Sequence, residues 1–277
     1  MTGILYIVAT PIGNLEDITM RALRVLREVD WVACEDTRQT RKLLEHFGVV
    51  KPMMSYYEHN EAARAAELVE RLKTGVSVAL VTDAGTPLVS DPGYRLVQAA
   101  IAAGVTVVPI PGPSAAVTAL SAAGLPTDAF RFCGFLPAKS SQRKKLLEEL
   151  KAETCTLIFY ETPHRILDAL EDVGAVMGSR PTVVGRELTK LHEEFLRGTA
   201  EEIRAQLASR PSVKGEMTLL IGKADEAAEL DDTPLEDAVR LAEQQGLPRM
   251  DAIKQVAKKR GLSKREVYRL IAGDGRG

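Results

Sequence analysis

Short uninterrupted apolar runs alternate with amphipathic segments through the first 112 residues, and this alternation restricts the fold more than any other feature of the chain. ILYIVAT (4–10), WVACED (31–36), MMSYY (53–57), SVALVTD (77–83) and VTVVPIP (105–111) read as strands. Between them lie helical patterns: DITMRALRVLREV, TRQTRKLLEHFG, NEAARAAELVERLKTG and YRLVQAAIAAG. A strand with one wet face alternates apolar and polar residues, whereas a continuous apolar run needs cover on both faces. The pattern therefore predicts a parallel sheet with helices on either side.

A second set of elements follows residue 112 with a different rhythm. A helix over Ser114–Gly124, strand FRFCGFLP, helix SQRKKLLEELKAE, strand CTLIFYET and helix RILDALEDVGAVMG are succeeded by PTVVGREL, EEFLRGTA, another helix and GEMTLLIG. Some consecutive strands here lack an intervening helix, which predicts a mixed sheet. The expected organisation is an α/β protein with two α/β domains, 1–112 with a parallel sheet and 113–223 with a mixed sheet. A basic all-helical module at 234–277 follows an acidic linker.

Charge supports that last division. The net charge is only −2, which argues against nucleic-acid binding through bulk positive charge. Residues 224–237, however, carry seven acids and no base, whereas 247–277 carry nine bases and three acids. LPRMDAIKQVAKKRG and LSKREVYRLIAG read as two short amphipathic helices joined at Gly261, a helix-turn-helix-like candidate for RNA contact, with a solubilising helical pair as the competing reading. The amino-terminal apolar run is too short for a membrane span and has no basic flank before it, so a cytoplasmic location is expected. Cys34, Cys133 and Cys155 are widely spaced in strand-like runs and are expected to be buried thiols, with no disulfide framework and no metal site.

Three loops carry the punctuation of a binding cleft: ATPIGN (9–14), AGTPLVSDPG (84–93) and PGPSA (111–115). Each follows a strand, and ligands of open α/β sheets bind outside the carboxyl ends of the strands. Glycine lets a ligand approach the backbone, and proline holds a loop in one shape. One such cluster would be a tight turn; three in one domain favour a cleft. The phosphate-cradling patterns G-x-G-x-x-G after a strand and G-x-x-x-x-G-K-[ST] are absent.

The ordered motifs LYIVATPIGNLEDIT, CEDTR, TDAGTPLVSDPGY, PGPSA, GFLPAK, FYETPHR and GEMTLLIG resemble the tetrapyrrole methylase superfamily over residues 4–222. Within it they are most similar to the branch that methylates the ribose 2′-hydroxyl of a cytidine in the decoding centre of small-subunit (16S) ribosomal RNA. The resemblance implies S-adenosylmethionine bound in a cleft between two α/β domains, a homodimer, and the small-subunit rRNA or the 30S subunit as partner. The cofactor contacts it implies are Pro11, Asp83, Gly85, Thr86, Ser114 and Ala115, with Tyr160, Met217 and Thr218 from the second domain.

A ribose hydroxyl is a poor nucleophile, so a general base is expected. Asp36, Glu16 and Glu161 are the leading acids, with Glu35, Asp17 and His59 behind them. Helix capping is the competing role for Asp17, and pairing with Arg38 or Arg41 is the competing role for Asp36. Arg38, Arg41 and Lys139, together with Lys258, Lys259, Arg260, Lys264 and Arg265 of the tail, are the candidates for phosphate contact. Lys42, Arg143 and Lys144 could join them or be solvated helix faces. Two other classes remain open at this point: a small-molecule, precorrin-type methyltransferase, and a non-catalytic ribosome-binding protein.

Overall fold

The computed structural model describes residues 2–224, 234–244, 246–259 and 262–273. Met1–Lys223 form one compact unit and Ala224–Gly277 a second. No helix among the described residues is long and apolar enough to cross a membrane.

The first half of the large unit contains β1 (Ile4–Val8), β2 (Trp31–Cys34), β3 (Met53–Ser55), β4 (Val78–Leu80) and β5 (Thr106–Ile110). They form a wholly parallel sheet in the order β3-β2-β4-β1-β5. The connecting helices are α1 (Met20–Glu28), α2 (Thr37–His46), α3 (Glu61–Lys73) and α4 (Tyr94–Ala102). The apolar runs are continuous because both faces are covered. Val78 and Leu80 pack with Leu68, Leu72 and Leu96 of α3 and α4, whereas Ala79 and Val81 pack with Val25 and Leu26 of α1 on the other face. Parallel pairing sends all five carboxyl ends to one edge, and the loops after β1, β4 and β5, which are neighbours in the sheet, meet there.

The second half contains α5 (Ala115–Ala123), β6 (Phe130–Phe135), α6 (Ser140–Leu150), β7 (Thr156–Glu161), α7 (Ile166–Met177), β8 (Thr182–Arg186), β9 (Glu194–Gly198), α8 (Ala200–Ala208) and β10 (Met217–Ile221). Its sheet has the order β6-β7-β10-β8-β9, with β6 and β7 parallel and the remaining pairs antiparallel. Leu157 and Phe159 of β7 face α6, α7 and α8; Ile158 and Tyr160 face α5. Ile12, from the loop after β1, joins the α5 cluster and so stitches the two sheets together.

The second unit contains α9 (Leu235–Gln244), α10 (Arg249–Lys259) and α11 (Lys264–Gly273) around a core of Val239, Ala252, Ile253, Val256 and Val267. The sequence suggested two helices after the acidic run; α9 begins inside that run, where Glu236 and Asp237 suit the positive end of a helix.

Several local expectations change. Asp17 does not cap α1: Thr19 does, accepting from the Ala22 N–H at 3.0 Å, while Asp17 lies in a single 3-10 turn capped by Asn14. Arg143 is neither a phosphate contact nor a solvated residue, because its guanidinium is buried against Asp172 at 2.6 Å. Cys34 is buried, but Cys133 and Cys155 are only half-buried.

Candidate functional site

The three Gly/Pro loops are tied to one another by hydrogen bonds. The Thr10 N–H donates to Gly85 O (2.9 Å) and the Gly85 N–H to Thr10 O (3.0 Å), a reciprocal bridge that carries pairing past the ends of β1 and β4. The Thr10 hydroxyl donates to Thr82 O at 3.0 Å, and the Thr86 hydroxyl to Pro113 O at 3.0 Å. Gly85 adopts φ +90°, a conformation natural to glycine. Gly112 lies so close to the first loop that a Cβ there would meet Ala9 Cβ at 2.9 Å. These glycines are needed where strand ends converge.

A cavity of about 370 Å³ opens between these loops and the second sheet. Ile12, Asp83, Gly85, Thr86, Ser90, Asp91 and Ala115 line it from the first side; Phe135, Tyr160, Glu161, Leu188, Glu216, Met217 and Thr218 line it from the second. FYET and GEMT arrive together because β7 and β10 pair with Met217 opposite Glu161 and Thr218 opposite Tyr160. Its volume falls within the usual range of small-ligand sites.

Among the described residues, four non-glycine residues have φ in the left-handed region, Leu88, Ser90, Glu187 and Thr189, and all lie in two loops that bound this cavity. Such residues typically cost about 1–3 kcal/mol each and persist where surrounding contacts hold them. Around Glu187 those contacts are the Glu216 N–H at 3.0 Å and Lys190 Nζ at 2.8 Å, with Lys190 also reaching Glu216 at 2.8 Å.

The lining has a pronounced electrostatic bias. Among the described residues that line it, four are acids and none is Lys, Arg or His. Glu161 accepts from the Thr162 N–H (2.8 Å) and pairs with Arg165 (3.1 Å), and Glu216 is paired with Lys190. For Asp83 and Asp91 burial is the main influence and pushes both carboxyls up; at Asp83 the Asp36 N–H, donating at 3.3 Å, opposes the rise and the Asp36 charge adds to it, and at Asp91 the Thr82 hydroxyl opposes it and the Asp83 charge adds to it. Glu35 behind them is raised by burial and then by Asp83, Asp91 and Asp36. A cationic ligand would relieve this repulsion, whereas a polyphosphate would add to it.

Of the expected cofactor contacts, Asp83, Gly85, Thr86, Ala115, Tyr160, Met217 and Thr218 line the cavity. Pro11 is buried in the first loop, outside the lining. Ser114 stands at the N-cap of α5 but makes no side-chain cap bond; its hydroxyl and the Ala116 N–H instead serve the Tyr160 phenol, whose pKa burial raises.

Of the expected acids, Glu161 lines the cavity, and burial pushes its carboxyl up against the pull of the Thr162 N–H and Arg165. Glu16 is exposed beside the first loop. Asp36 caps α2, accepting from the Arg38 N–H at 2.8 Å and pairing with its guanidinium at 2.7 Å, which holds the carboxyl down at about 2. Arg41, Lys42, His59 and Lys139 are exposed, as are Lys264 and Arg265 in the second unit. Lys258 and Lys259 lie in α10, their side chains outside the described residues, and Arg260 and Gly261 are outside them altogether. Among the described residues no group of three His, Cys, Asp or Glu could hold a metal ion.

Sequence reasoning missed Asp91, Ser90, Phe135, Leu188 and Glu216 as lining residues. Asp91 stood in view within SDPG, a loop whose glycine drew the attention. Leu188 and Phe135 carried no signal, since an apolar residue at a strand end reads as core.

The model for "Tetrapyrrole (Corrin/Porphyrin) Methylases" matches residues 4–204. "Ribosomal RNA small subunit methyltransferase I" of Halalkalibacterium halodurans is 49% identical over 273 residues, covering 97% of this chain and 94% of that protein. The protein of the same name from Haemophilus influenzae is 48% identical, covering 97% and 96%. Among solved structures, uroporphyrin-III C-methyl transferase from Thermus thermophilus complexed with S-adenosyl homocysteine superposes with a TM-score of 0.54 at 19% identity, over 79% of this chain and 97% of that one.

Proposed function

This chain belongs to the tetrapyrrole methylase family, and from that premise we propose that it is a methyltransferase acting on small-subunit ribosomal RNA with S-adenosylmethionine as methyl donor. The finer reading is transfer to the ribose 2′-oxygen of one cytidine in the decoding centre, by a homodimer, with the 30S subunit or its RNA as acceptor. The observation that carries the proposal is the likeness along almost the whole chain to relatives named for small-subunit rRNA methylation. A separate helical unit bearing exposed Lys264 and Arg265 is consistent with a macromolecular acceptor.

The cavity fits the donor on its own chemistry. When bound, S-adenosylmethionine supplies an already activated methyl group on a positively charged sulfur. Asp83 and Asp91 present the negative charge that a cation requires, in surroundings that weaken its competition with water. Gly85 leaves its backbone open to close approach, and Ile12, Leu188 and Met217 supply apolar wall.

The remaining work is to orient the acceptor hydroxyl and receive its proton. Orientation of two reactants can supply about 7–11 kcal/mol of barrier reduction. For the proton, Asp36 is held too acidic and Glu161 has both oxygens engaged, by Thr162 and Arg165. Asp91 is the better acceptor: it lines the cavity, and burial raises its basicity.

The test is to incubate the purified protein with methyl-labelled S-adenosylmethionine and small subunits from a strain lacking the activity, then map the label by nuclease digestion and mass spectrometry. Label on a single ribose 2′-oxygen is expected. Label elsewhere in the RNA would overturn the finer reading, and absence of label from RNA would overturn the proposal.

A further inference from the structure

The strand β6 departs from regular pairing where it reaches the cavity. Its register with β7 shifts between Phe132 and Phe135, and Gly134 within that shift adopts φ +69°. A bulge of this kind re-aims the next side chain. Here the next side chain is Phe135, which lines the cavity yet is 50% exposed. Its ring lies 5.7 Å from that of Tyr160 at 66°, an edge contact that leaves a face free. Phe135 is thus half-exposed while Leu136 beside it is fully buried.

The segment after the ring is held with unusual completeness. Arg165 donates to Leu136 O, and Arg143 donates to Pro137 O (3.2 Å) and Ala138 O (3.3 Å), so two arginines satisfy three consecutive carbonyls. Arg143 is itself fixed by the buried Asp172, which also accepts from the Ser140 hydroxyl at 3.0 Å. The segment ends at the exposed Lys139, where α6 begins. A rigid backbone thus presents an aromatic face at the mouth of the cavity and a cation four residues later. Proteins that grip unpaired nucleic acid combine these two groups, stacking bases on rings and holding phosphates with Lys or Arg.

We infer that Phe135 is the stacking platform for the base of the nucleotide being modified, and that the Gly134–Lys139 segment is preorganised to hold that nucleotide unstacked at the cavity mouth. The inference rests on the RNA methyltransferase reading. It assigns Phe135 to the acceptor and not to the methyl donor. Stacking needs a ring, so an aliphatic side chain of similar volume would not replace it.

The experiment measures methyl transfer to small subunits from a strain lacking the activity, for the full-length chain and for Phe135→Ala, Phe135→Leu and Phe135→Trp. Calorimetry of S-adenosylmethionine binding and thermal unfolding accompany each variant. The expected result is a KM for subunits raised about five- to a hundred-fold in the Ala and Leu variants. Phe135→Trp should restore it to within about threefold of the parent, and because Phe135 also borders the donor cavity, donor affinity should change in each variant by much less than KM does. An unchanged KM in Phe135→Ala, full rescue by Leu, or a loss of donor affinity matching the rise in KM would each overturn the platform. If the parent protein labels no RNA, the functional reading fails and the platform falls with it; if the parent labels RNA and the variants equal it, the platform alone fails.

Discussion

Replacing Asp172 by Asn tests whether one buried ion pair anchors the cavity side of the second sheet. The Arg143 and Asp172 side chains are 3% and 5% exposed, and the pair is joined at 2.6–2.7 Å. Removing one member of such a pair strands a desolvated charge and typically costs about 3–5 kcal/mol. Arg143 would retain the carbonyls of Pro137, Ala138 and Asp168, so the lower end, about 3 kcal/mol, is expected. For a unit of this size that corresponds to a fall in Tm of about 6–12 °C. The double variant Arg143→Met with Asp172→Asn removes the charge pair but leaves the carbonyls of Pro137, Ala138 and Asp168 without their donor, so it should lose less than the sum of the two single variants without returning to the parent. Urea unfolding of the parent, both single variants and the double variant measures the cycle. A loss below about 1 kcal/mol in Asp172→Asn would refute the reasoning, because a stranded guanidinium cannot be that inexpensive in a dry site.

Gly85→Ala should lower stability by about 1–2 kcal/mol through its φ of +90° and not through a clash, since a Cβ there would sit 3.4 Å from Ile12; an unchanged urea midpoint would contradict this. Asp91→Asn should lower kcat about a hundredfold or more. It should also abolish the acidic limb of the pH–rate profile, which the raised carboxyl pKa moves upward; a persisting limb would remove Asp91 as proton acceptor. Glu194, held down at about 2 first by Arg210 and then by Arg186, contributes stability that is present above the ordinary glutamate value and lost as pH falls toward 2. Glu194→Gln should therefore be less stable than the parent at pH 7, with the difference shrinking below about pH 4.5, and a pH-independent difference would exclude the ion pairs as its source. A chain ending at Lys223, the limit of the first compact unit, should keep its donor affinity while subunit binding weakens and loses part of its salt dependence; equal loss of both would contradict separable roles.

The sheets were legible because their apolar runs answer to a simple requirement. Val78, Ala79, Leu80 and Val81 are buried on alternating faces, and only a strand covered on both sides needs four apolar residues in succession. The cleft was legible through glycine and proline at strand ends, and the family resemblance supplied Tyr160, Met217 and Thr218, which share one rung of the β7–β10 ladder or its neighbour. What escaped was whatever depends on register and side-chain direction. Arg143 looked like one cation in the run RKK, yet its helical phase turns it inward to Asp172 while Lys144 stays half-exposed. Phe135 is aimed by a bulge that a single glycine in an apolar strand does not announce. Asp36 was visible as both a cap and a candidate base, and only its geometry with Arg38 separates those roles.

The cavity draws its wall from Ile12 at one end of the large unit to Thr218 at the other, so no amino-terminal fragment of the chain contains it. During synthesis the site comes into being only after nearly the whole unit has emerged and its longest-range contacts have closed, which places it late in folding. A molecule seated there holds together segments more than two hundred residues apart in sequence. Its binding energy is then shared by the entire unit, worth about 2.7 kcal/mol of resistance to unfolding at a hundredfold excess over Kd. A ligand present well above its Kd therefore lowers the fraction of chains open to proteolysis.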